Sequence, residues 1–341
     1  MELISQIPIA LWIAGVLALY MAWAIGANDV ANAMGTSVGS GALTVWGAIL
    51  VAAIFEFAGA FFAGGHVTDT VRKGMLDISL IGRDQLIYGM LGSLAAAGTL
   101  LVGATRFGLP VSTTHSIVGA IVGFGVVSIG PEVVNWGKIG QIVLSWLTSP
   151  LLAGVIAFGI FQFTRAKVLD TKDPVAQIRK LGPVFFFLVF FIIGLVTLFK
   201  GLKPLKLDLN LTQALIGSTL LGFIGSGLGI FFIRRVQLGQ EDPKDRFSRV
   251  EKIFVVLQIL TACAIAFAHG SNDVANAIGP LAAVSGAISG AELGGKASVS
   301  PWMLAIGGIG IIFGLATWGY RVMETVGKRI TELTPSRGFA A

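Results

Sequence analysis

The sequence predicts an all-α polytopic membrane protein, and three observations support this prediction. Hydrophobic residues make up 55% of the 341 residues and charged residues only 12%, against about 25% charged in an ordinary soluble domain. Apolar runs of 18 residues or more, long enough to cross a bilayer, alternate with short charged loops. A polar decapeptide occurs twice inside such runs. A soluble globular fold is excluded, because too little polar surface would remain to cover it.

Eight apolar runs are predicted as membrane spans. In chain order they cover about residues 7–34, 42–65, 86–104, 139–163, 183–199, 211–233, 253–279 and 302–320. A Gly-rich segment also ends near residue 129, and the sequence leaves open whether 86–129 crosses twice or forms re-entrant hairpins. We expect three parts: a first transmembrane repeat (1–163), charged loops with two linking helices (164–252), and a second, inverted repeat (253–341).

Lysine and arginine in the loops predict the orientation. Residues 164–180 carry five of them and residues 234–252 carry six, so both loops are expected in the cytoplasm, with the turn at 200–208 outside. With the Gly-rich segment counted, seven apolar segments, an odd number, lie between the starts of the two motif-bearing spans. These two spans therefore run antiparallel, with the N-terminus outside. This is the inverted-repeat plan of secondary transporters with broken helices. The net charge of +6 lies in these loops and indicates topology in a cell (inner) membrane rather than a nucleic-acid partner.

The duplicated decapeptide is the first candidate site. GANDVANAMG at residues 26–35 returns as GSNDVANAIG at 270–279, with eight of ten positions identical. An ionised carboxylate at the bilayer centre costs roughly 2.5–3.5 kcal/mol, so Asp29 and Asp273 are predicted to be functional. Two asparagines flank each aspartate: Asn28 and Asn32 in the first copy, Asn272 and Asn276 in the second.

These side chains offer oxygens for a hard cation such as Na⁺ and amide donors for an oxyanion. The alternative is structural: the Asn-Asp pair caps a broken helix, or the asparagines hydrogen-bond across a helix interface. Near-identical copies in two inverted halves favour a solute or ion site. We expect the first span to be interrupted at residues 26–29 and the second copy to end its span.

The run PVSTTH at residues 110–115 is the second candidate site. Pro110 suits the first turn of a helix, which places the hydroxyls of Ser112, Thr113 and Thr114 near unpaired N–H groups at the positive end of a helix dipole. Such an N-terminus binds anions, and in transporters a broken helix points it at the substrate. On this segment alone, an ordinary Ser/Thr cap at an interfacial turn explains the pattern equally well.

Three other residues need an interpretation. Glu56 lies inside the second span and is predicted to be a cation or proton ligand; the alternative is a glutamate near a helix end or paired with a neighbour. The second half has no acid at the matching place. His269, one residue before the second motif, is interpreted as a satisfied core histidine. The single cysteine, Cys263, gives no disulfide framework, and nothing in the sequence predicts a metal cluster or a cofactor.

The paired Gly-Ala/Ser-Asn-Asp-Val-Ala-Asn-Ala motifs, with Pro-Val-Ser-Thr-Thr-His, resemble those of the inorganic phosphate transporter (PiT) family over nearly the whole chain. The resemblance implies an all-helical, inverted-repeat, cation-coupled importer of inorganic phosphate, dependent on sodium or protons according to the member, and usually a homodimer. It implies phosphate contacts at Asn28, Asp29, Asn32, Ser112, Thr113, Thr114, Asn272, Asp273 and Asn276. Sodium ligands are expected at Asp29, Asn32, Asp273 and Asn276, to which we add Glu56.

One departure from the family pattern concerns the second half. In the family, a second Pro-Val-Ser-Thr-Thr-His run follows the second Asn-Asp motif at some distance. Here residues 325–329 (TVGKR) resemble residues 70–74 (TVRKG), and the sequence stops at Ala341 before a second run. We therefore expect a chain that lacks the C-terminal segment of the family.

The predicted function is sodium-coupled symport of inorganic phosphate by alternating access, with phosphate, Na⁺ and the lipid bilayer as partners. A proton-coupled symporter of phosphate or sulfate is the alternative, and an anion channel is less favoured because both halves carry coupling carboxylates. An enzyme is not predicted, because the sequence shows no Ser-His-Asp arrangement, metal cluster or nucleotide-binding loop.

Overall fold

A computed structural model describes residues 8–72, 74–198, 209–235, 246–290, 299–329 and 333–341. The regular structure of these ranges is helical, apart from a single antiparallel bridge between Leu76 and Val134. The helices are α1 (Ile9–Asn28), α2 (Val30–Gly39), α3 (Val45–Arg72), α4 (Arg83–Arg106), α5 (Thr113–Ser128), α6 (Trp136–Thr164), α7 (Pro174–Val196), α8 (Leu211–Arg235), α9 (Arg246–Ile288), α10 (Pro301–Gly314), α11 (Tyr320–Arg329) and α12 (Pro335–Ala340). The 200–208 turn and most of the 234–252 loop lie outside the described residues.

The described residues contain eight helical spans that are long and apolar enough to cross a membrane. They are Ile9–Gly39, Val45–Gly65, Arg83–Arg106, Trp136–Leu169, Pro174–Val196, Leu211–Arg235, Arg249–Ile288 and Pro301–Met323. The predicted all-α polytopic membrane fold is therefore confirmed. Helix α5, with 16 residues, is about 24 Å long and falls short of the roughly 30 Å hydrocarbon core.

The two motif copies differ in their backbone. In the first, α1 ends at Asn28 and α2 begins at Val30, so the helix is interrupted at Asp29 as expected. The second copy lies inside α9, which continues without a break to Ile288. The prediction that the second copy ends its span was wrong. A continuous helix satisfies nearly all of its backbone groups in apolar surroundings; Pro280 lies inside α9, so the carbonyl of Asn276 lacks its helical N–H donor. Asn276 and Asp273 find side-chain partners on α5.

Helices α1 and α10 approach each other backbone to backbone. A Cβ atom added to Gly26 would overlap the carbonyl of Ile311, and one added to Gly314 would overlap the carbonyl of Trp23 and press on the nitrogen of Ala27. Small residues allow this distance, which is a usual way for membrane helices to associate where apolar burial gives little driving force.

Helices α3 and α9 repeat this contact at equivalent positions. A Cβ atom on Gly270, the first residue of the second motif, would overlap the carbonyl of Glu56. One on Gly59 would overlap the carbonyl of Phe267 and press on the nitrogen of Ser271. Each motif helix thus packs against a glycine-bearing helix of the other half, as a two-fold relation between halves requires. This reciprocal packing of the two halves is in keeping with an inverted-repeat architecture.

Helices α7 and α8 form an antiparallel hairpin outside these pairs. Rings on α7 fill the space left by glycines on α8: Phe186 meets Gly229, Phe190 meets Gly225 and Phe187 meets Gly222. The phenylalanine-rich stretch at residues 185–191 is therefore largely a contact between α7 and α8. The hairpin also places the start of α7 beside the end of α8.

Candidate functional site

Asp29 sits at the joint between α1 and α2. Its backbone stays close to helical, with φ −87° and ψ −31°, and its N–H donates to the carbonyl of Ile25 at 2.8 Å. The interruption is therefore a slight bend rather than a gap. Its effect is to turn the Asp29 side chain toward the N-terminus of α5.

Asn28 is fully buried and holds the loop that precedes α5. Its amide nitrogen donates to the hydroxyl of Thr105 at 2.9 Å and to the carbonyl of Leu109 at 3.0 Å. Its carbonyl oxygen accepts from the N–H of Val111 at 3.0 Å. Both amide hydrogens are thus used between helices, which is the structural alternative that the sequence left open for the asparagines.

Replacing Thr105 by valine tests this positioning role. The substitution keeps the shape of the side chain but leaves one amide hydrogen of Asn28 buried without a partner, which costs about 1–3 kcal/mol. We expect a lower thermal unfolding temperature for the detergent-purified protein. Thr148→Val is the matched control, because Thr148 makes a similar bond to the carbonyl four residues earlier but is exposed. Equal effects of the two substitutions would contradict the role given to Asn28.

Helix α5 begins next to both motif copies. Ser112 caps it by accepting from the N–H of His115 at 3.2 Å, and the buried Thr113 follows. The Thr113 hydroxyl lies 2.8 Å from Oδ2 of Asp29 and 3.4 Å from Oδ2 of Asp273. One hydroxyl therefore joins the carboxylates of the two motif copies at the positive end of a helix.

The second motif completes the cluster from α9. The amide nitrogen of Asn276 lies 3.2 Å from the hydroxyl of Thr113, 3.2 Å from that of Thr114 and 3.4 Å from Oδ1 of Asp273. Asn272 donates to the same Oδ1 at 3.0 Å. Asp273 and Asn276 are buried, whereas Asn272 is exposed.

His269 connects this cluster to Glu56. Its Nε2 lies 2.8 Å from Oδ2 of Asp273 and 3.8 Å from Oδ2 of Asp29. Its Nδ1 lies 2.9 Å from the carboxylate of Glu56, which is fully buried on α3. The imidazole side chain is 14% exposed, and among three carboxylates it is their charge partner when it is protonated.

The cluster has the composition of a cation site. One ligand atom each from Asp29, His269 and Asp273 can be chosen so that all lie within 4.8 Å of one another. The hydroxyls of Thr113 and Thr114 add neutral oxygens beside these carboxylates. Hard cations take oxygen ligands of these kinds. The same place offers the amide of Asn276 and the first turn of α5 to an oxyanion.

Comparisons with known proteins agree on one family. Residues 25–341 match the family described as "Phosphate transporter family". This chain belongs to the phosphate transporter family. A protein of Haemophilus influenzae named "Putative phosphate permease" is 48% identical, over 100% of this chain and 82% of its own length. "Inorganic phosphate transporter 2-1, chloroplastic" of Arabidopsis thaliana is 44% identical, over 94% of this chain and 58% of its own.

A solved structure, "The sodium-dependent phosphate transporter", has the same fold. It is 41% identical, with a TM-score of 0.87, over 97% of this chain and 81% of that one. The family resemblance drawn from the motifs is thus confirmed, and so is the expectation of a multi-pass membrane transporter rather than an enzyme.

For this phosphate transporter family member, the structure brings together six of the predicted site residues. Asp29, Thr113, Thr114, Asp273 and Asn276 meet directly, and Glu56 joins them through His269. Asn28 lies beside the cluster with its amide committed elsewhere. Ser112 caps α5, and Asn272 reaches the cluster only through Asp273. The side chain of Asn32 lies outside the described residues.

His269 is the residue whose role the sequence understated. Its interpretation as a satisfied core histidine misses the two acids that lie within 3 Å of its ring nitrogens, Glu56 and Asp273. One signal was available: His269 and Asp273 are four residues apart, so they share a face of one helix. The contact with Glu56, on another helix and 213 positions away, left no such signal.

The charged pair of Glu56 and His269 has an apolar counterpart in the other half. Ile25 precedes the first motif as His269 precedes the second, and Ile311 contacts Gly26 as Glu56 contacts Gly270. Both isoleucines are fully buried. The two equivalent helix contacts therefore differ in polarity, as expected from the absence of an acid at the place in the second half that matches Glu56.

Proposed function

We propose that this protein carries inorganic phosphate across the cell membrane together with Na⁺, by alternating access. The supporting observation is the Thr113 hydroxyl, which lies between the carboxylates of the two motif copies and places the N-terminus of α5 beside both. Acidic and anion-binding groups are thereby combined in one site. The sodium dependence in the name of the similar solved structure is in keeping with this proposal.

The charges explain why a cation must accompany phosphate. Two unit charges of like sign 4 Å apart repel each other by about 4 kcal/mol at an effective dielectric constant of about 20. A phosphate anion next to Asp29 and Asp273 meets this repulsion from each carboxylate. Sodium ions bound by these carboxylates and the neighbouring hydroxyls remove it, so cation binding creates the affinity for phosphate.

We assign the remaining contacts by chemistry. Na⁺ takes carboxylate and hydroxyl oxygens from Asp29, Asp273 and Thr113, and Glu56 acts on it through His269. Phosphate oxygens accept hydrogen bonds from Ser112, from Thr114 and the free N–H groups of the first turn of α5, and from the amides of Asn272 and Asn276. Asn28 positions the loop before α5. For Asn32, a role in the site stays a prediction.

Uptake into proteoliposomes tests the coupling. We expect radiolabelled phosphate to accumulate only under an inward Na⁺ gradient, with excess sulfate competing weakly. Replacing Na⁺ by K⁺ at the same membrane potential is the control. Uptake driven equally well by a pH gradient without Na⁺ would contradict sodium coupling, and flux driven by potential alone would identify a channel.

A proton-coupled phosphate symporter is the second candidate, because His269 contacts both Asp273 and Glu56. A titratable imidazole in this position is a ready proton carrier. Under this alternative the pH gradient alone drives accumulation, and His269→Gln abolishes the response to that gradient. If the transported anion is sulfate rather than phosphate, excess sulfate will compete strongly with radiolabelled phosphate in the same assay.

Orientation and assembly complete the proposal. We place the protein in the cell (inner) membrane with the N-terminus outside and the loops at 164–180 and 234–252 in the cytoplasm, on the distribution of lysine and arginine. The two halves, 1–163 and 253–341, rock about the bound substrate, with 164–252 linking them. A homodimer is expected from the family resemblance.

A further inference from the structure

A cleft far from the carboxylate cluster lies between the start of α7 and the end of α8. Its volume is about 520 Å³, and Arg179, Pro183, Ile230, Ile233 and Arg234 line it. Because the hairpin is antiparallel, one arginine from each helix lines the same cleft. Nothing in the phosphate cycle proposed above uses these residues.

The two arginines of the cleft, Arg179 and Arg234, form no ion pair within the part of the chain that the structure describes. In the described ranges, neither guanidinium lies within salt-bridge distance of a carboxylate, whereas Arg165 nearby is 2.8 Å from Asp170. Both side chains are exposed. Two like charges in one cleft repel each other, so this arrangement favours an anion between them.

The rest of the lining is apolar. Ile230, Ile233 and Pro183 lie on the membrane side of the arginines, one turn or less further into the hairpin. Outward-facing apolar side chains such as Ile224 and Phe223 continue along α8 toward the centre of the span. The cleft is therefore cationic at the end of the helices and apolar one turn further into the hairpin.

We propose that this cleft binds an anionic phospholipid, with its phosphate between Arg179 and Arg234 and an acyl chain along α8. Arginine matches phosphate because its planar guanidinium presents parallel N–H donors. Basic pockets between membrane helices at the cytoplasmic side are known to hold anionic headgroups. Inorganic phosphate shares the charged group but does not use the apolar wall, so the lipid is the occupant that fits the whole cleft.

Native mass spectrometry of the full-length protein in detergent tests the proposal. Phosphatidylglycerol and phosphatidylcholine with the same acyl chains are titrated separately. We expect a bound phosphatidylglycerol, little phosphatidylcholine, and a loss of affinity by roughly thirtyfold in the R179Q/R234Q variant, about fivefold for each guanidinium near a membrane surface. Excess inorganic phosphate should not displace the lipid.

The matched control is K180Q/R235Q. It removes the same charge one residue away on each helix, from exposed side chains that do not line the cleft. We expect it to keep most of the affinity. Equal losses in the two variants would show a general surface effect and overturn the site, as would equal binding of the two lipids. Displacement by inorganic phosphate would make the cleft a free-phosphate site instead.

A second cleft variant separates the loss of a specific phosphate contact from a loss of folding. R179K/R234K keeps both charges but loses the planar donors, so its loss of affinity should be smaller than that of R179Q/R234Q. Size-exclusion elution of every variant checks folding. Unchanged lipid affinity in both cleft variants would overturn the proposal.

Discussion

Phosphate uptake is expected to fall about a hundredfold or more when Asp273 is replaced by asparagine. Its Oδ2 lies 2.8 Å from Nε2 of His269 and 3.4 Å from the hydroxyl of Thr113, and its Oδ1 accepts from Asn272. A carboxylate and a sodium ion 4 Å apart attract each other by about 4 kcal/mol at an effective dielectric constant of about 20, and about 1.36 kcal/mol corresponds to a tenfold rate change. Initial uptake under an inward Na⁺ gradient is the measurement.

The shape of the side chain is kept, so folding and function can be separated. Asp273→Asn should reach the proteoliposomes in wild-type amounts and still fail to transport. Asp170→Asn is the matched control, because that carboxylate is exposed and its ion pair with Arg165 contributes little. Near-normal uptake by Asp273→Asn would remove the carboxylate cluster from the transport mechanism. Asp29→Asn should repeat the loss.

Gly314→Ala is expected to cause the largest loss of stability. The new methyl group would overlap the backbone carbonyl of Trp23, and a backbone atom cannot move away by changing a rotamer. Helices α1 and α10 must separate, at a cost of about 1–3 kcal/mol or more. We expect a lower thermal unfolding temperature in detergent, or no recoverable protein.

The same substitution elsewhere in the chain supplies the control. Gly103 lies in α4, and a Cβ atom there would meet nothing within 4 Å, so Gly103→Ala should be neutral or slightly stabilising. Gly59→Ala, at the equivalent contact between α3 and α9, should be as harmful as Gly314→Ala. If only one of the two glycines proves sensitive, the two contacts are not equivalent in energy.

The sequence predicted the membrane fold and most of the cluster because both depend on local signals. Long apolar runs identify the spans, and the duplicated Asp29 and Asp273 mark the site through the cost of burying a carboxylate. The Ser-Thr-Thr run predicted a helix start at the candidate site, and Thr113 lies between the two aspartates.

What could not be predicted depends on neighbours far away in sequence. Asn28 and Asn272 stand in matching motifs, yet the first is buried against Thr105 and the second is exposed. The continuous course of α9 through the second motif depends on lateral partners such as Thr113 and Thr114, which lie more than 150 residues away. Neither kind of contact leaves a pattern in the local sequence.

The α3–α9 contact and the equivalent α1–α10 contact also differ in the solution conditions that change their energies. Where Glu56 meets His269, the contact energy changes with protonation, salt and any ion bound nearby. Where Ile25 and Ile311 take those places, the side chains carry no charge that could respond to these variables. A change in pH, salt or bound ion therefore alters the energy of the α3–α9 contact and leaves the equivalent contact between α1 and α10 largely unchanged.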